Sequence, residues 1–271
     1  MGEQQDKAVA GFSWHAERNR VAWNRESDAS QAKHGQFLVA DNAIRWGSWQ
    51  ILDESIGALG SVRGLKVLEI GCGAGQLSIK LAMHEATVVA IDISERQLAY
   101  AREAVAAVNV DVELVWASAD RTPFSSESFD VVCSDHGALT YADPRDVIPE
   151  AARLLKPGGY LIFNTPTPWV TVCWEEETET VGCRLRSPYF GMVGFMGNGG
   201  LRSYEREDML EFQLPYGDLV RALVRSGLVL EDLIELRPPA SAETTYTNYV
   251  PTEWASTWPA EHIWKARKAH A

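Results

Sequence analysis

Leu65-Lys-Val-Leu-Glu-Ile-Gly-Cys-Gly-Ala-Gly75 is a short apolar run that ends in three closely spaced glycines. A run of this length, stopped by glycine, reads as a buried strand followed by a tight turn. Gln76–His84 continues with Leu77, Ile79, Leu81 and Ala82 at helical spacing. Thr87-Val-Val-Ala-Ile-Asp92 is a second buried strand, and Ser94-x-x-Gln97 is a capping box that opens a helix running to about Val108.

The alternation goes on from there. Val110–Ala117 reads as a third strand and Phe129–Cys133 as a fourth. Asp143-Pro144 supplies an N-cap and a first-turn proline for a helix expected to end at Lys156-Pro-Gly-Gly159, before a fifth strand at Tyr160–Phe163. Five apolar strands alternating with helices predict an α/β fold, a mostly parallel sheet with helices on both faces. Asp218–Ser226 is a further helix, stopped by Gly227. Leu228–Leu236 and Ile263–Lys268 read as strands joined by the Pro- and Thr-rich stretch Arg237–Ala260, and consecutive strands with no helix between them predict a reversed pair.

The flanks are less regular. Trp14, Trp23, Trp46 and Trp49 are scattered through polar sequence, with amphipathic helices expected around Phe37–Ala43 and Trp46–Leu59. These indoles suit core packing or a lid over a flat ligand. Residues 166–216 are rich in aromatics and glycines without clear periodicity and read as an insertion. The expected organisation is therefore an N-terminal helical cap over 1–60, a core made of 61–165 and 217–271, and a cap insertion over 166–216.

Composition narrows the function classes. The chain has 271 residues and a formal net charge of −12, which disfavours nucleic acid as a partner. The basic cluster Lys265-Ala-Arg267-Lys268 reads as the solvated face of a strand. No run approaches the roughly 20 apolar residues that span a bilayer, and the first residues show neither a signal-peptide core nor a myristoylation pattern. A soluble cytoplasmic protein that engages no membrane is expected. Cys72, Cys133, Cys173 and Cys183 lack C-x-x-C spacing, so no metal site is expected, and a Cys173–Cys183 disulfide is disfavoured by a reducing compartment.

The glycine turn limits the ligand. Backbone N–H groups of such a turn can approach a ligand closely. A dinucleotide turn has the pattern GxGxxG, whereas here the third glycine comes one residue early, which weakens a pyrophosphate cradle. Glu69 would also sit badly beside a pyrophosphate, but it can orient the turn or accept from an ammonium. Asp92, at the end of the second strand, can accept both hydroxyls of a ribose. Its other reading, a cap for the next helix, is already filled by Ser94.

In order along the chain, VLEIGCGAG (67–75), VVAIDIS (88–94), ASADRTPFSSESFDVV (117–132) and ARLLKPGGYLIF (152–163) resemble the first motif, second motif, adenine loop with fourth strand, and fifth-strand region of class I S-adenosylmethionine-dependent methyltransferases. The resemblance covers residues 65–165 well. The tail YVPTEWASTWPAEHIWKARK is similar to that of a bacterial subgroup of these enzymes. The resemblance implies a Rossmann-like seven-stranded sheet in the order 3-2-1-4-5-7-6 with the last strand antiparallel. It implies S-adenosylmethionine as cofactor and S-adenosylhomocysteine as product. Gly71, Cys72, Gly73 and Gly75 would lie at the methionine part with Glu69. Asp92 would hold the ribose, with Ile93 against the adenine. Asp120, flanked by Ala119 and Arg121, would accept from the adenine amino group, where the competing reading is a surface acid. Ser134 would lie near the methionine ammonium.

Methyl transfer is an in-line displacement at carbon, and a base is required only where the acceptor loses a proton. His136 follows the fourth strand at the carboxyl edge, where open α/β sheets bind ligands, and is the candidate general base. A histidine that packs on the cofactor or caps a loop would look the same in sequence. His15, His34, His84, His262 and His270 lack such a context, and Glu175–Glu177 with Glu179 reads as a solvated face. The expected reaction is methylation of an O or N nucleophile, less readily C, on a small-molecule acceptor of apolar or aromatic character. A non-catalytic S-adenosylmethionine-binding regulator and a nicotinamide-dependent dehydrogenase are the competing classes. The early third glycine and Glu69 oppose the latter, and Ser134-Asp-His-Gly137 lacks the N-P-P-Y-like motif of amide or base methylation.

Overall fold

A computed structural model describes residues 11–38, 41–192, 195–196, 209–239, 241–247 and 249–270. The chain begins with helix α1 (Trp14–Leu38), a hairpin of β1 (Arg45–Trp46) and β2 (Ile51–Leu52), and α2 (Asp53–Ile56). Then come β3 (Lys66–Ile70), α3 (Gln76–Met83), β4 (Thr87–Asp92), α4 (Glu95–Val108), β5 (Val112–Trp116) and β6 (Phe129–Asp135). Next are α5 (Ala138–Tyr141), α6 (Pro144–Leu154), β7 (Leu155–Pro166), α7 (Pro168–Val172), β8 (Trp174–Glu175) and β9 (Thr180–Val181). The chain continues with β10 (Phe195–Met196), β11 (Leu210–Glu211), α8 (Tyr216–Arg225), β12 (Leu228–Glu235), α9 (Thr252–Thr257) and β13 (Glu261–Lys268).

Seven of these strands form one sheet in the order β12-β13-β7-β6-β3-β4-β5. Counted along the chain and read from the β5 edge, this is the expected 3-2-1-4-5-7-6. β13 runs antiparallel to both β7 and β12, while β3, β4, β5, β6 and β7 are parallel. The central strands are apolar because both faces are covered: one core cluster includes Leu68, Ile70, Phe129 and Phe163, and the other Val67, Leu81, Val131 and Ile162.

Local chemistry sets the helix starts. Gln97 N–H donates to Ser94 Oγ at 3.1 Å, and Arg145 N–H donates to Asp143 Oδ1 at 2.9 Å, ahead of α4 and α6. Helix α6 ends earlier than its sequence suggests. Lys156-Pro-Gly-Gly159 is already strand, and the β6–β7 register shifts between Phe129 and Val131 to accommodate it.

The N-terminal flank departs from expectation. Its polar run is one 25-residue helix, α1, and no helix spans Trp46–Leu59. Gly47 (φ +71°) and Gln50 (φ +50°) adopt left-handed backbone and fold the segment into the β1–β2 hairpin. The Trp46 indole N–H donates to Asp53 Oδ1 at 2.8 Å and fixes the following turn. The helix expected around Phe37–Ala43 falls partly outside the described residues. Trp46 and Trp49 are both buried: Trp46 beneath the main sheet, and Trp49 in a third core with Trp174, Val181 and Trp254. That core organises α7, β8, β9 and α9. Expected residues 193–194 and 197–208 of the insertion lie outside the described residues.

All four cysteines are free thiols, so Cys173 and Cys183 form no disulfide. Lys265, Arg267 and Lys268 are engaged by Ala58 O, Glu231 and Leu155 O respectively. Among the described residues, no helix is long and apolar enough to cross a membrane.

Candidate active site

The carboxyl ends of β3, β4 and β6 open into a cavity of about 320 Å³. Its floor is the glycine turn and its neighbours, including Glu69, Gly71, Cys72, Gly73, Asp92, Ile93 and Ala119. Its roof comes from α1, the β1–β2 hairpin and the segment around Tyr246 and Tyr249. His34 and Tyr246 stack there with ring centroids 3.9 Å apart. Among the described residues, none from 166–192 lines this cavity, because that segment packs into the third core.

The turn is held by carboxylates and by close backbone approach. Gly73 N–H donates to Asp92 Oδ2 and Ser94 N–H to Asp92 Oδ1, each at 2.8 Å. Asp92 thus ties the turn to the start of α4 while facing the cavity. Burial pushes its carboxyl up to about 6, against the pull of the Ser94 and Gly73 N–H groups. Glu69 is fully enclosed and accepts from the Ser78 hydroxyl. Burial, with a smaller contribution from the Asp135 charge, raises it to about 8 despite that hydrogen bond. A side chain on Gly71 would strike the backbone of Gly137 and Ala138. This glycine therefore allows the turn after β3 to abut the loop after β6.

The remaining expected residues divide. Gly75 starts α3 and faces Ala101 rather than the cavity. Ser134 is buried and donates its hydroxyl to Ile70 O at 2.9 Å. Asp120 and Arg121 line a neighbouring pocket with Phe12 and Arg145, and Asp120 Oδ2 accepts from Ser13 Oγ at 3.2 Å. Ser118 borders both spaces.

His136 faces the cavity from a left-handed backbone (φ +49°), held by its N–H donating to Asn164 O at 3.1 Å. Its Nε2 lies 2.9 Å from Glu261 Oε1, a short but oblique approach. Glu261 had no signal in the sequence, since nothing near it in the chain belongs to the site. It arrives because β13 is antiparallel: its first residue, not its last, reaches the carboxyl edge, opposite Pro166. Ser48 N–H is shared by both Glu261 oxygens at 3.2 Å, and Gly47 N–H by both Asp135 oxygens at 3.1 Å. Asn164 Nδ2 also donates to Asp135 Oδ1, at 2.8 Å. Burial raises Asp135. Burial acts the same way on Glu261, but His136 and the Ser48 N–H outweigh it and hold the carboxyl below its usual range.

Lys80 is a second residue without a sequence signal. It occupies the cavity wall on α3, 5% exposed, near Arg45 and Asp135. Burial and the Arg45 charge depress its ammonium. No group of three or more His, Cys, Asp and Glu side chains able to hold a metal occurs among the described residues.

Residues 68–163, from β3 to β7, match the family model described as a methyltransferase domain. The chain carries a class I S-adenosylmethionine-dependent methyltransferase domain. Over 112 residues, the chain is 38% identical to a demethylmenaquinone methyltransferase from Clavibacter sepedonicus, covering 40% of this chain and 45% of that protein. Over 147 residues it is 36% identical to a ubiquinone biosynthesis O-methyltransferase from Pseudomonas fluorescens, covering 53% and 56%. The chain thus spans about half the length of the curated relatives it matches. A crystal structure of an S-adenosylmethionine-dependent methyltransferase from Mesorhizobium loti superposes with a TM-score of 0.60 at 24% identity, over 78% of this chain and 94% of that one, and shows the shared fold.

Proposed function

We propose that this protein transfers a methyl group from S-adenosylmethionine to an oxygen or nitrogen of a small molecule. The observation that carries this reading is the acidic floor: Glu69, Asp92 and Asp135 all line one cavity at the carboxyl edge of the methyltransferase sheet. Such a floor suits a ligand with an ammonium and a sulfonium, and the raised Glu69 and Asp92 carboxyls are set to ionise when that positive charge arrives. Asp92 and Ile93 would hold the nucleoside, with Ala119 beside them. Glu69 and the Gly71–Gly73 backbone would hold the amino-acid part. Asp120 and Arg121, across Ser118, would meet the far edge of the adenine. Bound there, the cofactor supplies a methyl group already activated by positive sulfur.

The chain's own residues supply enclosure and proton handling. Trp23, Tyr141, Tyr246 and Tyr249 line the roof and suit an apolar or aromatic acceptor. The quinone names of the two relatives agree with an acceptor of that kind. On this reading the described residues of 1–60 act as the cap, with 166–192 buttressing it, over a core that includes 61–165 and the described residues of 217–271. His136 is the general base where the acceptor must lose a proton.

Calorimetry with S-adenosylhomocysteine tests the cofactor, and a screen of phenols, amines and carboxylates for S-adenosylhomocysteine release tests the reaction. Binding together with release in the presence of one acceptor class is expected. Binding without release from any acceptor would favour a regulatory protein, and NAD binding in its place would overturn the assignment.

A further inference from the structure

We infer that Glu261 is the positioning residue for His136, and that the pair serves an acceptor that attacks through a hydroxyl oxygen. The inference rests on the methyl-transfer reading for its chemistry, but the pairing itself stands on geometry.

Glu261 is completely buried, and a buried carboxylate is retained only where partners offset its desolvation. Its partners here are the Ser48 N–H and the His136 ring. Space for it is made by Gly47, since a side chain there would overlap the carboxylate. His136 is oriented from two sides. Its backbone is fixed in a left-handed conformation by Asn164 O, a strained state that persists only where the surroundings over-determine it. Its ring stands between Glu261 and the cavity, with the side chain 25% exposed and the Tyr249 ring edge-on at 6.1 Å. A buried carboxylate behind the ring and a ligand space before it is the layout of an oriented base.

Asp135 is adjacent in sequence but plays a different part. Its oxygens are occupied by the Gly47 N–H and the Asn164 amide, which fasten the hairpin to the sheet edge. Asp135, Glu261 and His262 are titratable groups that bear on His136, and burial drives His262 down to about 3, so that it stays neutral. Glu261 and Asp135 are therefore the charges that stabilise an imidazolium here.

An amine with a free lone pair needs no base to attack carbon, whereas a hydroxyl becomes a strong nucleophile as its proton leaves. In the step assigned here the acceptor O–H bond breaks, its proton passes to the His136 imidazole, and the electron pair left on oxygen would form the O–CH3 bond while the S–CH3 pair stays on the sulfur of the departing S-adenosylhomocysteine. Glu261 offsets the charge that the ring gains. The acceptor class is a phenol- or enol-type hydroxyl.

The test is NMR titration of the histidine rings in ligand-free protein labelled with ¹⁵N and ¹³C at histidine, with His136 assigned by loss of its signals in His136→Asn. In Glu261→Gln the His136 midpoint should fall by one pH unit or more, while S-adenosylhomocysteine affinity stays within about twofold. Glu261→Asp, which keeps the charge, should restore most of the midpoint. An unmoved midpoint in folded Glu261→Gln overturns the inference and leaves the methyl-transfer reading intact. Failure of S-adenosylhomocysteine to bind wild-type protein would do the reverse. Should Glu261→Gln not fold, the unmutated protein decides: ¹⁵N shifts of the neutral ring should place its proton on Nε2, toward Glu261, and an Nδ1–H tautomer overturns the pairing.

Discussion

Gly47 and Glu261 share one space: a side chain on Gly47 would overlap the Glu261 carboxylate. The hairpin turn and the last strand of the sheet therefore fit together only through the absence of a Cβ. Gly47→Ala should destabilise the protein beyond the backbone cost of its φ of +71°. Gly57→Ala is the control, with φ +63° and open space around it. The control should lose about 1–2 kcal/mol, and Gly47→Ala clearly more. Thermal unfolding of both variants checks this, and equal losses would show that the Glu261 carboxylate moves aside freely.

The floor of the cavity predicts a pH dependence. Glu69 is raised from 4.5 to about 8 in the fold, so its contribution to stability is complete below pH 4.5 and is lost as pH rises through about 8. Asp92, raised from 3.8 to about 6, behaves likewise over its lower window. Glu69→Gln should flatten the decline of ligand-free stability between pH 5 and 8. Binding of S-adenosylhomocysteine, which brings an ammonium, should release protons near pH 7 in wild type and fewer in Glu69→Gln. Calorimetry in buffers of different ionisation enthalpy measures that release.

Lys80 sets stability against binding. It is buried on the cavity wall, and burial with the Arg45 charge lowers its pKa. Holding it charged therefore costs stability at neutral pH, a cost that fades as pH rises through its depressed folded value toward 10.5. Lys80→Met should raise the Tm of the ligand-free protein at pH 7 by about 2–4 °C, the effect of roughly 1 kcal/mol in a chain of this size. The same variant should bind S-adenosylhomocysteine about tenfold more weakly, because a carboxylate-bearing ligand loses its counter-charge, worth roughly 1.4 kcal/mol.

Thiol chemistry should separate the cysteines. Cys183 is exposed, while Cys72, Cys133 and Cys173 are buried. Burial also pushes the Cys72 and Cys133 thiols well up, which keeps them un-ionised. A disulfide-exchange reagent should titrate one thiol rapidly in native protein and four after denaturation. Rapid reaction of two or more would contradict the burial of Cys72, Cys133 and Cys173.

The sheet was legible because its signals are local. Each parallel strand of residues 65–165 is a self-contained apolar run with its own glycine, cap or proline boundary; Asp92 ends its strand and His136 follows its own directly. What the sequence hid depends on distant contacts or on backbone handedness. Glu261 joins the site only through the direction of β13, and its neighbours Ala260 and His262 mark nothing about a cavity. Trp46–Leu59 has helical apolar spacing, but the left-handed Gly47 and Gln50 make it a hairpin. Lys80 lies on an apolar helix, where periodicity speaks for the buried leucines and is silent about one cation on another side. Ser134, placed beside the ligand by its position after a strand, instead spends its hydroxyl on Ile70 O.

The direction of β13 also orders the assembly of the two walls during synthesis. The acidic floor is encoded by residues 69–135, and a chain emerging amino end first can form β3, β4 and β6 early. The Glu261 carboxylate that faces His136 Nε2 does not arrive until residue 261 has been translated and β13 has slotted between β7 and β12. A chain still on the ribosome can thus gather the carboxylates of the cavity floor, while the Glu261–His136 pair waits for the closing strand.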